Sequence, residues 1–156
     1  SEKLIPLTIL NAINEKPLPI YGNGKNIRDW LYVEDHVDAL LFVLENGKVG
    51  QSYNIGSETE LTNLELVQKI CRILNGLLPR DNGTYEELIT FVTDRPGHDY
   101  RYAINPKRIY NELGWKPITT IDQGLFKTIS WYLNNENWWR PLLNNIQTER
   151  LGNRAI

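Results

Sequence analysis

The stretch from Pro17 to His36, Pro-Leu-Pro-Ile-Tyr-Gly-Asn-Gly-Lys-Asn-Ile-Arg-Asp-Trp-Leu-Tyr-Val-Glu-Asp-His, restricts the backbone more than any other part of the chain. Pro17 and Pro19 stiffen the approach, and Gly22-Asn23-Gly24 supplies residues that tolerate positive φ. A β-prone run from Ile27 to Val33 follows, so the stretch predicts strand, tight turn, strand. Alternation in the second strand places Ile27, Asp29, Leu31 and Val33 on one face and Arg28, Trp30 and Tyr32 on the other. One face therefore offers a guanidinium beside aromatic rings. Such a face suits a ligand carrying phosphate and a flat base, because guanidinium pairs bidentately with phosphate and aromatic faces stack on bases. The same pattern also describes a half-buried strand whose Arg28 extends its head group into solvent.

At 156 residues the chain makes one domain, able to bury roughly 70% of the surface its unfolded form exposes. Its single cysteine, Cys71, lies in an apolar helical pattern and reads as a small core residue, a usage that fits a reducing cytoplasm. Net charge of -2, with no block of roughly five like charges, argues against nucleic acid or an anionic membrane as partner. There is no signal-peptide pattern and no long apolar run, so a soluble domain is expected. The chain contains no methionine, and Ser1-Glu2-Lys3 opens inside a helix-like pattern; we expect a piece of a longer polypeptide.

Leu4, Ile5, Leu7, Ile9, Leu10, Ala12 and Ile13 predict a buried helix of about three turns starting near Lys3, with Pro6 tolerable in its first turn. Val37, Leu40, Leu41 and Leu44 mark a second helix, with Glu34, Asp35 and Asp38 near its positive end and Gly47 as its stop. Gln51 to Gly56 reads as a short strand. Thr62 and Glu65 form a capping box, followed by Leu64, Val67, Cys71, Leu74 and Leu78 on one helical face. Asn63 then stands beside backbone N–H groups that could hold an anion or a carbonyl, or is simply a solvated first-turn residue. Leu88 to Val92 is β-prone and leads into Thr93-Asp94-Arg95-Pro96-Gly97-His98-Asp99, where a Pro-Gly turn holds two potential cations on a loop at a strand end. Alternatively Arg95 pairs with Asp94 or Asp99 at the surface. Asn105-Pro106 opens a short helix that Gly114 closes, and Thr120 with Gln123 caps a final helix to about Asn134. Trp138, Trp139 and Pro141 read as packing residues of a tail laid over the domain.

Several chemistries lack their residues. Ile27 occupies the place of the third glycine in a dinucleotide fingerprint, and Gly22-Asn23-Gly24 opens no helix. Tyr21 and Lys25 have the spacing of a Tyr-x-x-x-Lys pair, but the two glycines between them lie in a turn. His36, His98 and Cys71 make no metal cluster, and no Gly-x-Ser-x-Gly elbow or Walker loop is present.

Lys3-Leu4-Ile5-Pro6-Leu7, Lys16-Pro17-Leu18-Pro19-Ile20-Tyr21-Gly22, Ile27 to His36, Tyr53-Asn54-Ile55-Gly56, Asp94-Arg95-Pro96-Gly97-His98-Asp99 and Glu112-Leu113-Gly114-Trp115-Lys116-Pro117 together resemble the dTDP-glucose 4,6-dehydratases. These enzymes belong to the extended short-chain dehydrogenase/reductase superfamily. The likeness runs to about Trp139; from Pro141 to Ile156 it is loose. It implies an α/β fold, the C-terminal part of an NAD-binding Rossmann fold with mixed helices and short strands. Residues 1–156 would form a single nucleotide-sugar-binding domain, with an N-terminal NAD-binding half absent. The resemblance further implies that Lys3 and Leu4 line the nucleotide site, and that Pro19, Ile20 and Tyr21 flank the thymine with the Tyr21 ring against the base. Arg28 would bind the diphosphate, Asn63 the nucleotide, and Arg95 and His98 would close over the phosphates. Members convert dTDP-glucose to dTDP-4-dehydro-6-deoxy-glucose by NAD-mediated oxidation, water elimination and reduction, as in dTDP-rhamnose biosynthesis. Their catalytic residues belong to the absent half, so this chain alone is expected to be inactive. The implied partners are a dTDP-sugar, the missing half and, for the parent, a second copy in a homodimer. Rival readings are a related nucleotide-sugar epimerase or decarboxylase, and a non-catalytic nucleotide-sugar-binding module.

Overall fold

The computed structural model describes residues 3–143, in which α1 (Leu4–Ile13) leads into β1 (Leu18–Tyr21) and β2 (Ile27–Asp29). Next come α2 (Val33–Asn46), β3 (Glu60–Thr62), α3 (Asn63–Leu77), a 3-10 turn (Tyr85–Leu88) and β4 (Ile89–Val92). β5 (Arg101–Tyr102), α4 (Lys107–Leu113), α5 (Ile121–Asn134) and α6 (Glu136–Leu143) complete an α/β fold of helices and short strands. β1 and β4 pair in parallel, from Leu18 opposite Ile89 to Tyr21 opposite Val92. In a second sheet β2 is central, antiparallel to β3 and parallel to β5.

The predicted strand, turn and strand are present, but β1 and β2 belong to different sheets and β2 stops at Asp29. The alternation to Val33 therefore does not hold. Asp29 is the reason: its carboxylate accepts hydrogen bonds from Ser57 N–H and Oγ–H and from Thr59 N–H, folding residues 57–59 against the strand end. Trp30 then packs against the main core and Leu31 against a smaller cluster, and Val33 opens α2.

The main core is built on α3, whose Leu66, Val67, Ile70, Cys71 and Leu74 are fully buried against Ile9, Leu18, Ile20, Tyr85 and Ile129. Both capping boxes form: Glu65 N–H donates to Thr62 Oγ1 at 3.1 Å, and Gln123 N–H to Thr120 Oγ1 at 3.3 Å. α1 begins where expected, with Pro6 in its first turn. Cys71 is wholly enclosed, and burial pushes its thiol up to about 12, so it stays protonated and unreactive.

Other expectations need correction. The apolar residues that reveal α2 are not its buried face: Val37, Leu40, Leu41 and Leu44 are 50%, 52%, 56% and 80% exposed. The inward side carries Ala39, which admits close approach of Ile109 and Trp115. It also carries Asp35, bound by Thr119 N–H and Oγ–H, while neighbouring Asp38 accepts the Trp115 indole N–H at 2.9 Å. Gln51 to Gly56 forms no strand. Tyr53 and Ile55 pack on the smaller cluster, and Arg108 donates to the Ser52 carbonyl and Gln51 Oε1. α4 starts at Lys107, one residue later than the proline rule suggests, with Asn105 Oδ1 accepting its N–H. Trp138 and Trp139 lie on a helix, α6, that contains Pro141: Trp139 is buried with its indole N–H on the Tyr132 carbonyl, and Trp138 meets Trp131 edge-on. The tail beyond Leu143 lies outside the described residues.

Gly24 has φ +72°, and a Cβ there would stand 2.8 Å from Ile20 Cγ2 and 2.9 Å from Leu64 Cβ. Gly24→Ala should therefore cost on the order of 2–3 kcal/mol, read as a lowered urea midpoint at unchanged slope. A thiol reagent should leave Cys71 unlabelled in the native chain and label it fully in denaturant.

Candidate functional site

Parallel pairing brings the carboxyl ends of β1 and β4 to the same side, the position where open α/β sheets place their ligands. From there two connections run side by side into the second sheet: residues 22–26 from β1 to β2, and 93–100 from β4 to β5. They are joined at both ends. Gly22 N–H donates to the Val92 carbonyl at 2.9 Å, and Ile27 N–H to the Tyr100 carbonyl at 2.7 Å. Asn26 Nδ2, between those points, and Arg28 Nη2, just past the second, both donate to the Asp99 carbonyl, at 3.2 and 3.0 Å.

The segment 94–99 turns at Gly97, φ +68°, the sign that a Pro-Gly turn requires. Asp94 Oδ1 accepts the Arg95 backbone N–H at 2.8 Å and contacts His98 Nδ1 at 2.7 Å. The His98 bond, with smaller help from the Arg95 N–H, holds the Asp94 carboxyl below its ordinary range. The His98 ring stands edge-on to Tyr21, centroids 6.2 Å apart at 89°. Tyr21, Arg28 and His98 thus converge on one segment, and Asn63 joins through its N–H bond to the Asn26 carbonyl.

The electrostatics decide a question that the spacing left open. Among the described residues no carboxylate forms an ion pair with Arg28 or Arg95, and Asp94 serves His98 instead. Arg28 spends two N–H donors on the Ile27 and Asp99 carbonyls, which fixes its plane and leaves further donors for an anion. The surface-pair reading of Arg95 is therefore set aside.

Two other site residues stand differently from expectation. Ile20 is 1% exposed in the main core, because Leu18 and Ile20 point inward along β1 while Pro19 and Tyr21 point outward. Its side chain belongs to the core, so what it can offer a ligand is its backbone. The first N–H groups of α3 are not open to an anion: those of Asn63, Leu64 and Glu65 go to the Asn26 carbonyl, the Gly24 carbonyl and Thr62 Oγ1. The contacts tying Tyr21, Arg28, Asn63 and His98 do not extend to exposed Lys3 or to Leu4, half-buried against the main core. Sequence reasoning missed Asn26, which is 6% exposed and clamps the two connections. Its signal was an Asn between a glycine turn and a strand.

The turn at 22–24 leads from strand to strand, so the described residues do not offer the strand, glycine turn and open helix N-terminus that cradle a dinucleotide. Nor do Tyr21 and Lys25 share a helix. The cluster sets an arginine with N–H donors to spare near an aromatic ring and a carboxylate–imidazole pair.

A family profile described as GDP-mannose 4,6 dehydratase matches residues 1–128. The dTDP-glucose 4,6-dehydratase of Neisseria meningitidis serogroup B is 54% identical over 155 residues, covering 97% of this chain and 44% of that protein. The crystal structure of dTDP-glucose 4,6-dehydratase from Bacillus anthracis in complex with NAD matches with a TM-score of 0.79 at 48% identity, covering 90% of this chain and 42% of that one. The dTDP-glucose 4,6-dehydratase of Streptomyces venezuelae, with NAD and a second ligand bound, gives 0.78 at 40% identity, covering 90% and 41%. The chain spans less than half the length of these relatives. With most of its length matched by the family profile, and with close likeness in both sequence and fold, the chain belongs to the GDP-mannose 4,6-dehydratase family.

Proposed function

We propose that this chain is the substrate-binding portion of a dTDP-glucose 4,6-dehydratase, the enzyme that converts dTDP-glucose to dTDP-4-dehydro-6-deoxy-glucose. The observation that carries the reading is the side-by-side pair of connections, which gathers Tyr21, Arg28 and His98 on one segment at the carboxyl ends of β1 and β4. Arg28, its plane fixed by two carbonyls and with no carboxylate paired to it among the described residues, binds the diphosphate. Pro19 and Tyr21, on the outward face of β1, flank the thymine. Arg95 and His98, on a turn built by Gly97 and Asp94, close over the phosphates, while Asn63, Lys3 and Leu4 complete the nucleotide site.

Hydride transfer and water elimination are assigned to a further part of the parent enzyme, which also holds NAD, because the described residues do not fit a dinucleotide. That part covers the outward face of α2, where Val33, Val37, Leu40, Leu41 and Leu44 form an apolar stripe at helical spacing. We propose that the parent is a cytoplasmic homodimer, on the family resemblance. This chain contributes binding and orientation of the sugar nucleotide.

Calorimetric titration tests the binding role. dTDP should bind more tightly than UDP, and Arg28→Ala should weaken dTDP roughly tenfold to a hundredfold, as for a lost charge-assisted hydrogen bond. Undiminished binding by Arg28→Ala, in a chain folded by circular dichroism, refutes the role of Arg28. For the α2 face, the chain should bind the dye ANS, and Leu40→Gln with Leu44→Gln should remove most of that signal while leaving dTDP affinity in place. Unchanged dye binding would show that the stripe is not the exposed apolar surface.

A further inference from the structure

Asp94 is assigned no ligand in the binding scheme, yet it meets both connections that carry the site. Its Oδ1 meets His98 Nδ1 at 2.7 Å and takes the Arg95 N–H at 2.8 Å. Its other side faces the opposite connection, where a Cβ placed on Gly22 would lie 3.1 Å from Asp94 Oδ2. Gly22, at φ +57°, is the residue that follows Tyr21, and the Tyr21 ring meets His98 edge-on. Asp94 is half-exposed, with a side chain at 42%, whereas the His98 side chain is 5% exposed. The carboxylate thus grips an enclosed imidazole from the solvent side.

We propose that Asp94 is a positioning residue, which sets the tautomer and tilt of His98 and, through that ring, the placement of Tyr21 against the base. An ionised carboxylate only accepts hydrogen bonds, so the bond at 2.7 Å requires the proton on His98 Nδ1. Neutral His98 is then the Nδ1–H tautomer, and Nε2 on the far side of the ring is an acceptor. Nε2 makes no hydrogen bond among the described residues, which leaves it for the ligand. A protonated ring would donate from that same atom toward a phosphate. Either way Asp94 directs the ring without touching the ligand, and the edge-on contact fixes one side of the Tyr21 ring that stacks on the base. This inference rests on the binding role proposed for Tyr21 and His98; its first test does not.

That test is a long-range proton–nitrogen NMR spectrum of the ligand-free 156-residue chain, which reads the tautomer directly. The chain should show neutral His98 as Nδ1–H, and Asp94→Asn, whose amide can donate as well as accept, should shift it toward Nε2–H or a mixture. An Nε2–H form in the unmodified chain, or an identical spectrum in Asp94→Asn, overturns the proposal even if dTDP binds. The second test is a double-mutant cycle on dTDP affinity. Asp94→Ala and His98→Ala should each weaken dTDP roughly tenfold, and the pair together no more than His98→Ala alone. Costs that multiply would overturn the claim that Asp94 acts through His98. Loss of all dTDP binding in the unmodified chain would instead overturn the binding reading, with the tautomer result deciding the Asp94–His98 bond separately.

Discussion

Gly22 N–H donates to the Val92 carbonyl one step beyond the last register pair of β1 and β4, and from that bond two connections leave in the same direction. They are bound again where β2 meets β5, at Ile27 N–H and the Tyr100 carbonyl. Two chain segments held together at both ends have little freedom between. Within that interval the Asp99 carbonyl accepts from both Asn26 and Arg28, so a cation is anchored to backbone, and among the described residues no carboxylate pairs with it. Three site side chains depend on this double clamp: Tyr21 on one segment, His98 on the other, Arg28 just past the join. Below them the first N–H groups of α3 are taken by the Gly24 and Asn26 carbonyls, which ties the glycine turn to the main core.

Features governed by a few neighbouring residues were legible in the sequence. The capping boxes at Thr62 and Thr120 and the left-handed stop at Gly114 formed as read, because each rests on contacts within one turn. Arg28, Arg95 and His98 could be nominated from local chemistry for the same reason. Strand pairing was not legible. That β1 and β2 lie in different sheets follows from partners at positions 89–92 and 101–102, which no local pattern at 18–29 encodes. Ile20 shows the cost: the family motif names the run Pro19 to Tyr21, but the strand's alternation sends its middle residue into the core.

The orientation of α2 failed for a different reason. Apolar periodicity finds a helix and assigns its apolar stripe to the interior, yet here the buried residues of the helix are Asp35 and Ala39, with Phe42 and Val43 packed beside them. Ala39 permits the approach, and Asp35 and Asp38 bind the Thr119 backbone and the Trp115 indole, turning carboxylates expected to serve the helix dipole into ties between α2 and the segment 115–119. The segment 51–56 has a related history. Its β-prone residues read as a strand, but no strand among the described residues pairs with it, and Arg108 holds the backbone carbonyl of Ser52 instead.

The double clamp also has a consequence for the order in which the chain organises itself. The bond between Arg28 and the Asp99 carbonyl closes a separation of 71 residues, and that between Asn26 and the same carbonyl closes 73. Parallel pairing at such range is slow, since the entropy of closing the loop is lost before the contacts compensate. Helices α1, α3 and α5 can begin forming from near-neighbour contacts, whereas the cluster of Tyr21, Arg28 and His98 exists only once segments some 70 residues apart have met. Occupancy by a ligand that grips both connections would hold that late contact closed, so binding and the last step of folding share one structural event.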